Sequence, residues 1–214
     1  MKKVLVKICG LNDERAVQAA VEAGADFVGV VFFKKSPRCV EPERAAALLA
    51  EVPRHIRKVG LFVDPDDALL DRTLSRVRLD LLQLHGKEPP ERVAAIRSQY
   101  GLPAMKVVGV SAAADLDAAL PYLEIADRLM FDAKPPAGAT RPGGNAVSFD
   151  WTILADRKWK LPWFLAGGLT ARNVARAIKL SGAKAVDVSS GVESAPGVKD
   201  PRKIAAFIKA AKNN

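Results

Sequence analysis

Histidine and cysteine are scarce, with two of each in 214 residues. His55, His85, Cys9 and Cys39 form no CxxC pair and no zinc-ligand spacing. That excludes a familiar zinc site and a disulfide framework, and reads as a reduced, cytoplasmic chain. No metal or organic cofactor is expected. Aromatics are only 6% and do not interleave with basic residues, so the stacking platform of a nucleic-acid binder is missing. The formal net charge of +9 favours anionic partners in general. Its lysines and arginines are scattered rather than run together, which reads as a solvated basic surface. A small phosphorylated molecule is therefore the expected partner, not nucleic acid. No apolar run approaches the ~20 residues that span a bilayer. Lys7 and Asn12-Asp-Glu-Arg15 break up the opening apolar run before it makes a signal-peptide core. No membrane partner is expected.

What is present is enough for a sizeable core: 49% hydrophobic residues against 27% charged. Residues 1–214 read as one domain. Short apolar runs alternate with helical patterns. Strands are predicted at 4–8, 27–32, 58–63, 80–84, 104–108, 128–131, from 163, and at 185–188. Helices are predicted from Asn12 or Asp13 to a stop at Gly24, from Pro42 to Glu51, and over 66–75, 90–99 and 115–123. A short one is predicted at 149–156. The next has Thr170 as N-cap and Gly182 as stop, and the last opens on Asp200-Pro201. Eight strands alternating with helices, in units of about 27 residues, predict an α/β fold with a parallel eight-stranded (β/α)8 barrel. An open doubly wound sheet is the alternative. The segment 134–148 lacks apolar periodicity and reads as a functional loop.

The last two strands end in Trp163-Phe-Leu-Ala-Gly-Gly-Leu-Thr170 and Ala185-Val-Asp-Val-Ser-Ser-Gly-Val192. Glycine admits a ligand close to the backbone N–H, because no Cβ intervenes. Loops after strands seven and eight of a barrel commonly bind phosphate. Gly167, Gly168, Ser190 and Gly191 are therefore expected to hold one, with Gly144 and Asn145 from the preceding loop.

In a barrel, function sits at the C-terminal ends of the strands. Those ends carry Cys9, Arg38, His85, Asp132 and Asp187. Lys7 shares a face with Cys9 at period two. Its ammonium would favour the thiolate and make Cys9 a usable base; a buried inert thiol is the alternative. Asp132 ends an apolar strand, which suits a general acid, or else it caps a helix or pairs with Lys134. Asp187 lies between valines, where a carboxylate needs a partner; Lys7 is the structural choice. Arg38 could fork onto a carboxylate or phosphate, and His85 is either titratable or a hydrogen-bonded wall.

Lys7-Ile-Cys-Gly-Leu11, Ser36-Pro-Arg38, Gln83-Leu-His-Gly86, Phe131-Asp132, Leu165-Ala-Gly-Gly-Leu169 and Val186-Asp-Val-Ser-Ser-Gly-Val-Glu193 occur in that order. Together they resemble the phosphoribosylanthranilate isomerases of tryptophan biosynthesis over nearly the whole chain. One departure is Asn145-Ala146 after Gly143-Gly144, where that family usually has Thr-Gly or Ser-Gly. The resemblance implies an Amadori rearrangement of an aminoaldose to an aminoketose, with Asp132 as acid and Cys9 as base. It implies that Arg38 holds the anthranilate carboxylate, that Asp187 and His85 line the site, and that no cofactor takes part. A monomer or a homodimer would serve. A pentose-phosphate epimerase would need metal-binding histidines that two cannot supply. A non-catalytic anion-binding protein would show salt-sensitive nucleic-acid affinity and no turnover.

Overall fold

The computed structural model describes residues 4–135, 138–139, 141–144 and 147–213. Eight parallel strands close into a barrel in sequence order. They are β1 (Leu5–Cys9), β2 (Phe27–Val31), β3 (Arg57–Phe62), β4 (Leu81–Leu84), β5 (Ala104–Val110), β6 (Arg128–Ala133), β7 (Trp163–Leu165) and β8 (Ala185–Val188). β1 pairs with both β2 and β8, which closes the ring. The helices are α1 (Glu14–Glu22), α2 (Pro42–Ala50), α3 (Asp67–Leu74), α4 (Pro90–Tyr100), α5 (Val174–Ser181) and α6 (Pro201–Lys212). No helix among the described residues is long and apolar enough to cross a membrane.

The apolar periodicity lands where it should. α5 buries Val174, Ala177, Ile178 and Ser181, and α6 buries Ile204, Phe207, Ile208 and Ala211. Fully burying one of the valine, isoleucine or phenylalanine side chains among them stabilises the fold by roughly 1.5–3 kcal/mol. Gly182 ends α5 at φ +72°, a conformation that costs glycine little. At the other face of the barrel one device recurs. Asp26 accepts from Val6 N at 2.9 Å, Asp80 from Lys58 N at 2.8 Å, and Asp127 from Ala104 N at 2.8 Å. An aspartate just before each of β2, β4 and β6 thus holds the first turn of the preceding strand.

The fifth and sixth predicted α-helices are instead 3-10 helices, at Ala113–Tyr122 and Trp151–Leu154. Pro121 lies inside the first and supplies no N–H to an α-helical ladder. In the second, Asp150 turns back to accept from Thr152 N at 3.0 Å. Thr170 does not cap α5. Asn173 is the N-cap residue, but its side chain makes no cap hydrogen bond; its Oδ1 accepts from Thr170 N at 2.7 Å, and its Nδ2 donates to Gly168 O at 3.0 Å, tying down the turn before the helix. The two-stranded hairpin β9 (Glu193–Ala195) and β10 (Val198–Lys199) was not predicted. The Pro196-Gly197 turn was its signal, and Gly197 takes φ +82°.

Candidate active site

Two layers fill the barrel. The lower is apolar: Phe27, Val59, Leu81, Met105, Met130 and Phe164 are all buried, and Phe27 meets Phe164 edge-on at 5.1 Å between centroids. Going up the same inward-facing rows, the side chains turn polar. β1 presents Lys7 and Cys9, β4 presents Gln83 and then His85, β6 presents Asp132, and β8 presents Asp187 and then Ser189. The polar layer is what a ligand entering from above would meet.

Lys7 is fully buried, and its Nζ lies 2.8 Å from Asp187 Oδ1. Gly29 makes room for it, since a Cβ there would sit 3.2 Å from the ammonium. Burial alone would pull the Lys7 pKa down, but Asp187, with help from Cys9, holds it above the usual lysine value. That ammonium is therefore already committed to a carboxylate. Cys9 feels the consequence: burial pushes its thiol up, Asp187 adds to the rise, and Lys7 only partly offsets them. A thiolate readied by Lys7 is thus opposed both by burial and by a second charge, Asp187.

β6 runs two residues further than predicted, so Asp132 lies inside the strand rather than after it. Its Oδ1 accepts from Ala133 N at 2.9 Å, and its Oδ2 lies 3.3 Å from His85 Nε2. Lys134 is no partner for it, being bound to Asp115 instead. Gln83 Nε2 reaches His85 Nδ1 at 3.3 Å and Met130 Sδ at 3.5 Å. An amide N–H donated to Nδ1 leaves the proton of a neutral ring on Nε2, facing Asp132. Gly143 lies over this pair, where a Cβ would come within 2.7 Å of both side chains.

Arg38 is buried and bound. Its Nε and Nη2 donate to the two oxygens of Glu193 at 2.6 and 2.8 Å. Glu193 also accepts from Lys199 Nζ at 2.7 Å and from Gly197 N at 3.2 Å. Burial would raise the Glu193 carboxyl, yet these cations bring it down to about 2. Burial pulls the Lys199 ammonium below its usual range, against the pull of Glu193. Glu193 was visible in the sequence only as part of a motif, and Lys199 was not singled out.

Two connected hollows open at this end of the barrel. One, of about 470 Å³ including its mouth, is lined by Cys9, Arg38, His85, Asp132 and Asp187, and by the apolar Val31, Phe33, Leu61 and Val63. The other, of about 400 Å³, is lined by Gly167, Gly168, Ser190 and Gly191. Gly144, Asp132, Asp187 and Ser189 border both. Among the described residues, the N–H groups of Gly167, Gly168 and Gly191 meet no acceptor. Asn145 and Ala146 lie outside the described residues.

A carboxyl group, a thiol and a glycine-lined hollow gathered at the strand ends of a closed barrel match the layout expected of a phosphosugar isomerase. The family described as N-(5'phosphoribosyl)anthranilate (PRA) isomerase matches residues 6–210. The chain belongs to that family. It is 70% identical over 209 residues to the N-(5'-phosphoribosyl)anthranilate isomerase of Paramagnetospirillum magneticum, covering 98% of this chain and 97% of that one. Among solved structures it is similar to the Thermotoga maritima phosphoribosyl anthranilate isomerase, with 39% identity and a TM-score of 0.88. That match covers 99% of this chain and 100% of the other. It is similar also to such an isomerase in complex with reduced 1-(o-carboxyphenylamino)-1-deoxyribulose 5-phosphate, with 39% identity and a TM-score of 0.85, covering 99% and 100%.

Proposed function

We propose that this chain, a tryptophan-biosynthetic isomerase, converts N-(5'-phosphoribosyl)anthranilate to the carboxyphenylamino-deoxyribulose phosphate with Asp132 as acid and Cys9 as base. The observation that carries the roles is the shared border of the two hollows. A ligand with its phosphate against Gly167, Gly168, Ser190 and Gly191 places its sugar beside Asp132 and Asp187. Its aromatic ring then falls among Val31, Phe33, Leu61 and Val63.

Asp132 protonates the ring oxygen, the C1–O bond breaks, and the nitrogen lone pair forms C1=N⁺. Cys9 then takes the C2 proton, and the C2–H electrons neutralise the iminium as an enolamine. Moving the C2 hydroxyl proton out and a proton onto C1 gives the ketone. Lys7 and Asp187 hold the floor beneath, and His85 orients Asp132. All the steps are proton transfers, so residues of this chain suffice. We take residues 1–214 as one barrel unit working in the cytoplasm as a monomer or homodimer. The overall test follows loss of substrate fluorescence with purified protein and no added metal; no turnover would overturn the reading.

Arg38 meets the anthranilate carboxylate in this reading. Losing a charge-assisted contact of about 1.5–3 kcal/mol predicts that Arg38→Ala raises KM about 10–100-fold, with kcat falling if the pose also slips. An unchanged KM would mean that another cation holds the ring.

The phosphate end is tested by a pair of variants. A Cβ on Gly191 would lie 1.9 Å from Leu169 O, so Gly191→Ala must push the two final loops apart. It is expected to lower both Tm and affinity for inorganic phosphate. Ser190→Ala adds no atom, and should weaken phosphate inhibition several-fold, about one hydrogen bond's worth, at unchanged Tm. Unaltered inhibition by phosphate in both variants would remove these loops from the phosphate role.

A further inference from the structure

The Arg38–Glu193 contact poses a problem that the family reading leaves open. An arginine meant for a substrate carboxylate already carries a carboxylate of the chain on two of its N–H groups. A guanidinium has five, arranged along two usable edges. Glu193 occupies the Nε–Nη2 side. The Nη1–Nη2 end meets no other acceptor among the described residues, and has two parallel N–H groups with the correct spacing for a second carboxylate. Nη1 lies under the backbone of Gly144, where a Cβ would approach to 2.6 Å.

Charge is the second half of the problem. A buried Arg–Glu pair alone is neutral overall and would attract a carboxylate weakly. Lys199 changes that sum. Its side chain is fully buried and lies 2.7 Å from Glu193 Oε1. Its remaining N–H groups donate to Ser189 O at 2.9 Å and Ser189 Oγ at 3.2 Å. The three groups together keep one net positive charge. The hairpin β9–β10 that carries Glu193 and Lys199 is also tied to the β1 loop through Asn12 Nδ2 and Gly197 O at 2.9 Å. It therefore spans from Arg38 to the end of β8, where the second hollow begins.

We propose that Glu193 and Lys199 are positioning residues: Glu193 pins the inner edge of Arg38, and Lys199 cancels the pinning charge, so that the outer edge meets the substrate carboxylate with a full positive charge. This rests on the reading that Arg38 binds that carboxylate.

The test uses two probes on the full chain. One is reduced 1-(o-carboxyphenylamino)-1-deoxyribulose 5-phosphate; the other is the same compound with an unsubstituted phenyl ring. Lys199→Met should weaken the carboxylate probe about 10-fold and the phenyl probe less than about 2-fold, raising KM more than it lowers kcat. Lys199→Arg should restore most of the loss. Glu193→Asp keeps the charge and shortens the reach by one methylene, so it should give the same selective loss in a variant that stays folded. Equal weakening of both probes, or a fall in Tm with both affinities intact, would reduce the hairpin to a structural clasp and overturn the proposal. Arg38→Ala separates the two layers of inference. If it weakens both probes alike, the carboxylate reading itself falls. If it is selective while the Lys199 and Glu193 variants are not, only the positioning role falls.

Discussion

Asp132→Asn is expected to fold normally and to lose about 10²–10⁴ of kcat, the range for removal of a general acid. The substitution is close to isosteric. Its amide oxygen can keep the Ala133 N–H bond that Oδ1 now accepts at 2.9 Å. Its NH2 would face His85 Nε2, which must then offer a lone pair. That moves the ring proton to Nδ1, and Gln83 must turn its amide to accept it. Gln83 Oε1 has no hydrogen-bond partner among the described residues, so the turn gives up no bond made by that oxygen. The pocket can therefore accommodate the amide, and what disappears is the proton. An amide cannot deliver one to the ring oxygen, so the C1–O bond must break against an alkoxide. Affinity for inorganic phosphate should stay as it was. Steady-state kinetics beside a melting curve make the check. Near-normal turnover from a folded variant would take Asp132 out of the acid role, and His85, 3.3 Å away, would be the next residue to substitute.

The barrel was legible because its signals are local. Apolar runs of four to seven residues between glycines and prolines mark the strands, and Asp13, Asp66 and Asp200 cap the helices that follow them. Strand ends were legible for the same reason, and they placed Cys9, His85, Asp132 and Asp187 around one hollow. The failures share a different cause. Arg38 and Glu193 are separated by 155 positions, and only closure of β8 against β1 brings them together. The same closure pairs Lys7 with Asp187, 180 positions apart, a pairing that the sequence did offer, because a carboxylate between valines needs a partner. Sequence neighbours set Lys7 two residues from Cys9 and left a usable base and a buried inert thiol as alternatives. Only the closed barrel shows how far burial and Asp187 oppose that charge. The N-cap position of Asn173 was hidden by a simpler competitor, since threonine at a helix start is itself a good cap.

Cys9→Ser is the second variant expected to lose most activity, again about 10²–10⁴-fold, with the fold intact. Serine is smaller and its hydroxyl is a far weaker acid than a thiol, so almost none of it exists as an anion able to take the C2 proton. The raised thiol pKa adds a sharper expectation. The reactive enzyme has its proton on Asp132 and none on Cys9. Moving that proton from Asp132 to Cys9 gives a tautomer with the same proton count. Both hold one proton, so their ratio does not change with pH, and kcat/KM should be flat wherever that proton is retained. It falls once the proton is lost altogether, at pH values above the ordinary thiol value of 9.0, because burial and Asp187 push Cys9 upward. The alkaline limb should therefore lie above pH 9 and belong to Cys9. Lys7 is likewise held above its own ordinary value of 10.5. The iminium formed after ring opening eases the step by placing a cationic carbon next to C2, whose proton Cys9 removes. A pH profile of kcat/KM for the parent protein, beside the residual rate of Cys9→Ser, decides the matter. A limb well below pH 9, or one that survives unchanged in the serine variant, would assign the base to another residue.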